Sequence, residues 1–295
     1  MKKVRIIGIP MDLGQQHRGV DMGPIAIRYA GLAGALNRLG YRTEDYGNIQ
    51  IPGHYTLQDG CFSERLSIIQ KACEETYQAA RQAVAAGTIP IFLGGDHSGS
   101  VGSIGGVSHE QDCGLIWVDA HGDFNTPKTS ETGNIHGMAL AILMGHGPDG
   151  LVNVGRKGPK LKPENVVLIG VRDLDRKEKK NLKKSGCKVF TMRDIDEQSM
   201  QGVLKKSLAR LSKCKRIHLS LDMDAIDPNE APGVGTPVHG GISYREAQLL
   251  VETLCDTRKL GSLDIMETNP ILDIANQTAQ VAVSLTASLF GKSII

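Results

Sequence analysis

No stretch of this sequence is long and apolar enough to cross a membrane. The apolar run at its start, MKKVRIIGIPMD, stops at Pro10 without a small-residue cleavage site, so it reads as a first strand and not as a signal peptide. An excess of one charge is also missing. Lys and Arg number 34 against 32 Asp and Glu, a net charge of +2, which leaves no footprint for nucleic acid. The one basic run, 176–184 (RKEKKNLKK), has helical periodicity and reads as a solvated helix face. The six cysteines form no CxxC pair, which removes support for structural zinc and suggests free thiols in a reducing cytoplasm. SGSVGSIGG (98–106) lacks the GK[ST] of a phosphate loop and reads as small residues that pack a helix on a sheet. With no Pro/Ser linker, internal repeat or low-complexity tract, residues 1–295 are expected to form one domain.

What is present is a regular alternation. Strand-like runs at 4–9, 89–93, 115–118, 166–170, 188–191, 216–221 and 262–266 alternate with amphipathic stretches at 24–39, 63–86, 200–211, 244–254 and 275–289. Such alternation predicts an α/β fold, a parallel sheet with helices on both faces. Ligands of open parallel sheets bind beyond the carboxyl ends of the strands. The polar clusters fall there: GGDH (His97), DAHGD, VRDLD, DMD and Glu267 each follow a strand-like run.

In DAHGD, alternate residues of an extended segment point the same way, so Asp119, His121 and Asp123 can converge. Asp222 and Asp224 repeat the device from another strand. Four carboxylates in one place repel and raise one another's pKa, and two divalent cations would balance them. Capping and turn duty explains one or two such aspartates but not the set. Carboxylates with a minority of imidazoles and no thiolate suit Mn²⁺ or a similar octahedral ion. Two ions sharing carboxylates can lower the pKa of a bridging water from about 15.7 to the order of 7, so hydrolysis is the expected chemistry. His136, in GNIHG, reads as a ligand or a proton shuttle beside that site, against the bland reading of a structural histidine. His17, His54, His109, His146, His218 and His239 have no such context. Glu267 reads either as a solvated loop acid or as a carboxylate for a guanidinium, whose planar fork is its best geometric partner.

GGDHS, DAHGDFNTP, GNIHGM, SLDMDAIDP, GVGTP and ETNP, in that order, resemble the ureohydrolases, the manganese enzymes that include arginases and agmatinases. The resemblance runs nearly end to end and is nearest to the bacterial arginases. It implies a three-layer α/β/α fold around an eight-stranded parallel sheet, and hydrolysis of L-arginine to L-ornithine and urea by a hydroxide bridging two Mn²⁺ ions. One ion would be held by His97, Asp119, Asp123 and Asp222, the other by His121, Asp119, Asp222 and Asp224. Glu267 would orient the guanidinium with Thr236 beside it, Asp123 would protonate the leaving amine, and His136 would shuttle protons. Asn125 and Thr132 match positions that hold the substrate α-carboxylate; Asp175 and Glu178, with Asp173 nearby, match those near the α-amine. Thr132 stands where many arginases carry Ser, and Thr268 where Val is common. A cytoplasmic homo-oligomer, a trimer or a hexamer of paired trimers, is also implied. The competing readings are an agmatinase or other guanidino-substrate hydrolase, a binuclear metallophosphoesterase, whose tokens occur here in the wrong order, and a degenerate, non-enzymatic binding protein.

Overall fold

The computed structural model describes residues 2–53, 57 and 61–293; His54 lies outside them. Eight described strands form one parallel sheet: β1 (Lys3–Ile9), β2 (Arg42–Asn48), β3 (Ile89–Gly94), β4 (Gly114–Val118), β5 (Val166–Val171), β6 (Lys188–Thr191), β7 (Ile217–Asp222) and β8 (Leu260–Met266). Their order across the sheet is β2-β1-β3-β8-β7-β4-β5-β6. The expected three-layer fold is found. β2 carries no strand signal in the sequence, because RTEDYGN is an edge strand, mostly exposed, where charged residues blunt unwanted pairing.

The helices are α1 (Gly23–Tyr29), α2 (Leu32–Arg38), α3 (Phe62–Ala85), α4 (Ser100–Val107), α5 (Ala139–Leu143), α6 (Asp149–Val152), α7 (Arg176–Lys184), α8 (Met192–Arg210), α9 (Tyr244–Asp256) and α10 (Gln277–Leu289). The single helix expected over 24–39 is two helices, broken where Gly31 takes a left-handed φ of 89°. The helix expected over 200–211 begins earlier, at Met192, and is kinked at Ser199 (φ 63°). No described helix is long and apolar enough to cross a membrane.

Side chains alternate along the buried strands and build a core on each face. Ile91, Leu93, Ile116, Val118, Val167 and Ile169 face α1, α2 and α8 to α10, whereas Phe92, Leu115, Trp117, Val166 and Leu168 face α3 to α7. The central strands end level, since Leu93 and Leu221 both pair with Ile265, and Leu221 with Val118 across two ladders. The residues that follow β3, β8, β7 and β4 therefore emerge side by side at one edge.

The glycine run 98–106 packs α4 on α3 as well as on the sheet. A Cβ on Gly102 would lie 2.4 Å from the Cys73 carbonyl oxygen, and one on Gly106 2.5 Å from both Ala80 Cβ and the Tyr77 carbonyl, whereas Gly99 faces Ile9 and Met266 of the sheet. Gly102→Val is expected to lower the unfolding free energy by about 2 kcal/mol through overpacking. A urea unfolding midpoint equal to that of the parent would refute this account of the helix pair.

Candidate active site

The loaded edge gathers two groups of ligand-type atoms, His97 with Asp119 and Asp222, and Asp119 with His121 and Asp224. His97 Nδ1 lies 3.2 Å from Asp119 Oδ2, 3.3 Å from Asp123 Oδ2 and 2.9 Å from Asp222 Oδ2. His121 Nδ1 lies 3.4 Å from Asp119 Oδ1 and 3.1 Å from Asp224 Oδ2. Asp119 thus turns one oxygen to each imidazole. Asp222 presents Oδ2 to the first group, while its Oδ1 accepts from the Asp224 N–H at 2.8 Å.

Electrostatics at these residues call for positive charge. Burial and then the neighbouring Asp119 push the Asp123 carboxyl well above the usual range, and burial and then Asp224 do the same to Asp222. Burial works against a charged His97, yet the hydrogen bond to Asp119 and the charge of Asp123 raise it to about 9. His121 is raised as well: burial opposes its charge, and Asp224 and Asp119 outweigh the burial. Burial would raise Asp119, but its hydrogen bonds to His121 and His97 hold it low. Asp123 Oδ2, buried, accepts no hydrogen bond among the described residues, with only the His97 Nδ1 contact at 3.3 Å beside it. An orphaned carboxylate oxygen among oxygen and imidazole donors fits hard divalent cations.

His136 belongs to neither group. Its Nδ1 lies 2.9 Å from Glu267 Oε1, which also accepts from the His97 N–H at 2.9 Å. Glu267 Oε2 accepts from Gln15 Nε2 at 2.7 Å, so this carboxylate is a buried anchor and not a solvated loop acid. Burial disfavours a charged His136, but the Glu267 carboxylate raises its pKa. Asp123 and Glu267 both hold left-handed backbone, at φ 47° and 63°. For residues with a Cβ that conformation costs about 1–2 kcal/mol each.

Above the histidines lies a cavity of about 180 Å³, lined by His121, Asp123, Asn125, Thr132, Asn134, His136, Gly137, Asp173, Leu174, Asp175, Glu178 and Thr236. Asn125 Nδ2 donates to Asp175 Oδ2 at 2.9 Å, which ties the two walls together. Glu178 is already engaged: it accepts from the Phe124 and Asp175 N–H groups at 2.9 and 3.3 Å and completes a capping box at the start of α7. Burial pushes its carboxyl up to about 7. Thr236 Oγ1 donates to Asp224 Oδ2 at 3.2 Å, and Thr132 Oγ1 accepts from the Asn134 N–H at 3.2 Å. Thr268 is buried and its hydroxyl has no hydrogen-bond partner among the described residues.

Residues 2–291 match the arginase family. The chain belongs to that family. It is 48% identical to the arginase of Bacillus subtilis (strain 168), covering 100% of this chain and 99% of that protein. The solved native structure of arginase from Bacillus caldovelox superposes with a TM-score of 0.96 at 48% identity, covering 100% of both chains. The agmatine ureohydrolase of Thermoplasma volcanium reaches 0.76 at 25% identity, over 98% of this chain and 89% of that one.

Several supporting residues carry no individual sequence signal. Gln15 reaches Glu267 across 252 positions of the chain. Arg172 donates to the carbonyls of Asp224 and Val238, both at 2.7 Å, and so braces the loop after β7. Asp96 accepts from the Gly14 and Ser98 N–H groups at 2.8 and 3.0 Å, which fixes the turn that carries His97. Trp117 donates to Asp119 Oδ2 at 2.9 Å and stacks on His97 with centroids 3.9 Å apart. Its position was readable: two residues before Asp119 on the same strand, it must share that residue's face.

Because His97, raised to about 9, holds a proton at neutral pH and the Asp123 and Asp222 carboxyls are pushed up, cation binding must drive protons off, and affinity must rise with pH. Calorimetric titration of metal-free protein with Mn²⁺ at pH 7, in buffers of differing ionisation enthalpy, should show two ions per chain and net proton release. Heats identical in every buffer would contradict this.

Proposed function

We propose that the chain hydrolyses L-arginine to L-ornithine and urea with two manganese ions in each subunit. The observation that carries this reading is one cavity lined both by His121 and Asp123 of the ligand cluster and by Asn125, Thr132 and Asp175, whose amide, hydroxyl and carboxylate suit the charged groups of an amino acid. His97, Asp119, Asp123 and Asp222 would hold one ion, and His121, Asp119, Asp222 and Asp224 the other. When bound, such a pair supplies hydroxide at neutral pH. The oxygen-rich donor set without thiolate supports manganese.

The chain's own groups supply the rest. Glu267 takes the guanidinium; the Gln15 amide now occupies one of its oxygens, as a guanidinium N–H would. Asp123 gives a proton to the leaving amine. His136, held by Glu267 and lining the cavity, exchanges protons with solvent. Thr236 steadies the floor through Asp224. At the mouth, the Asn125 amide and the Thr132 hydroxyl receive the α-carboxylate, and Asp175 receives the α-ammonium. Glu178 acts one step back, by fixing the Phe124 and Asp175 N–H groups. Agmatine, which lacks the α-carboxylate, would leave these donors unpaired.

Urea release from L-arginine, agmatine and 4-guanidinobutyrate, before and after chelation and Mn²⁺ repletion, tests this directly. Arginine turnover should vanish on chelation and return with Mn²⁺, with agmatine at least ~100-fold poorer in kcat/KM. Asp175→Ala should raise KM for arginine about tenfold, the worth of one charged contact, with metal content unchanged. Comparable turnover of agmatine would sink the assignment of arginine.

We also propose that the chain works as a homo-oligomer, a trimer or a hexamer of paired trimers, in the cytoplasm, where its six free cysteines stay reduced. Six of the exposed large apolar side chains lie on two segments, Met22, Ile25 and Tyr29 on one and Ile271, Leu272 and Ile274 on the other. The segments are neighbours: Asn269 Nδ2 donates to the Arg18 carbonyl at 2.9 Å and Asn276 Nδ2 to that of Ala26 at 3.0 Å. A patch of that kind is expected to be covered in a working protein. Sedimentation velocity should show a trimer or hexamer that Ile25→Glu with Ile271→Glu dissociates. A parent that sediments as a monomer at micromolar concentration would overturn the oligomer.

A further inference from the structure

The sheet face beneath α4 carries, on β7 and β8, buried polar side chains that belong to neither ligand group and do not line the cavity. Asp264 of β8 is wholly buried, and its Oδ2 accepts from Ser100 Oγ and Ser103 Oγ of α4, both at 2.8 Å. His218 of the adjacent β7, also wholly buried, brings Nε2 to 3.3 Å from the same oxygen. His218 Nδ1 meets Ser262 Oγ at 2.7 Å. A carboxylate in such a place is costly unless something depends on it, and an apolar side chain would fill the position at no such cost.

What depends on it is close by. Ser100 opens α4, and α4 continues without a break from the 3₁₀ turn His97–Gly99. The serines held by Asp264 therefore fix the backbone that carries His97. Ser220 lies directly across the β7–β8 ladder from Asp264, and its Oγ lies 2.9 Å from His97 Nε2. His97 is thus gripped from two sides, at its backbone by way of α4 and at its far ring nitrogen by Ser220. The other ring nitrogen, Nδ1, is the one that meets Asp119, Asp123 and Asp222.

We infer that Asp264, braced by His218, is a positioning residue that sets the affinity of the ion held through His97 while leaving the ion held through His121 untouched. The inference rests on the two-ion reading above. Outer partners of this kind commonly alter metal affinity by about 10–100-fold. A plain helix clamp would act differently, because it would lower the stability of the whole chain and treat both ions alike.

Calorimetric titration of metal-free Asp264→Asn and Ser103→Ala with Mn²⁺, beside thermal unfolding of each, separates the two. His97→Asn identifies which of the two binding steps belongs to that ion. Asp264→Asn should weaken that step at least tenfold and leave the other within about twofold. Ser103→Ala, which removes a single hydroxyl and keeps the chain folded, should weaken the same step by a smaller factor. Two unchanged affinities in both variants, or two affinities falling together with the melting temperature, would overturn the inference. If the parent binds two ions while the variants bind them equally well, this inference alone fails. If the parent binds no divalent ion, the metal reading fails and takes the inference with it.

Discussion

Asp119 turns its two oxygens toward two different imidazoles, and much of this structure is arranged so that it can. The residue sits at the end of β4, wholly buried, with His97 at 3.2 Å on one side and His121 at 3.4 Å on the other. Trp117 fixes one oxygen from below, and the His121 N–H fixes the other at 2.7 Å. Three further aspartates reach the same space only because β4 and β7 are neighbours that end level. Carboxylates so close cannot all ionise without compensation, and here the raised pKa values of His97, His121, Asp123 and Asp222 express that demand. Divalent ions meet it, since each brings two charges to a space that accommodates few protons. The repulsion that would be a liability in a storage or scaffold protein becomes the driving force for binding.

Strain follows from the same requirement. Asp123 and Glu267 adopt left-handed backbone where a glycine would be at ease, because each must turn its carboxylate back over the strand ends. The surroundings hold them there. The Asp123 carbonyl accepts from the Ala141 N–H at 3.1 Å, and the Glu267 N–H donates to the Gly95 carbonyl at 2.8 Å. On the cavity wall, Asn125, Thr132 and Asp175 are tied mainly to one another and to turns.

The sequence was most legible where chemistry and period coincide. DAHGD and DMD announce converging carboxylates because strands alternate, and their position after apolar runs fixes the edge of the sheet. Legibility failed where a contact depends on distant chain. Nothing in the neighbourhood of Gln15 indicates that its amide meets Glu267, and Arg172 within VRDLD reads as one more polar loop residue although it braces the loop after β7. β2 was invisible for another reason: an edge strand is specified by its neighbour's backbone and not by its own apolar pattern. The break between α1 and α2 was masked by periodicity that continues through Gly31.

His218 and Asp264 show the limit most clearly. On the sequence, His218 has no metal-like spacing and Asp264 is a polar residue in a strand expected to be apolar, so each reads as incidental. Only the β7–β8 register makes them partners, and only the start of α4 above them gives the partnership a consequence. A buried charge is tolerated where removing it would disturb something more valuable than the local packing. In this fold the nearest such thing is the orientation of one imidazole, and the chain has surrounded that ring with a serine, a tryptophan and a braced helix start. Affinity at such a centre is then a property of the layers behind the ligands as much as of the ligands themselves.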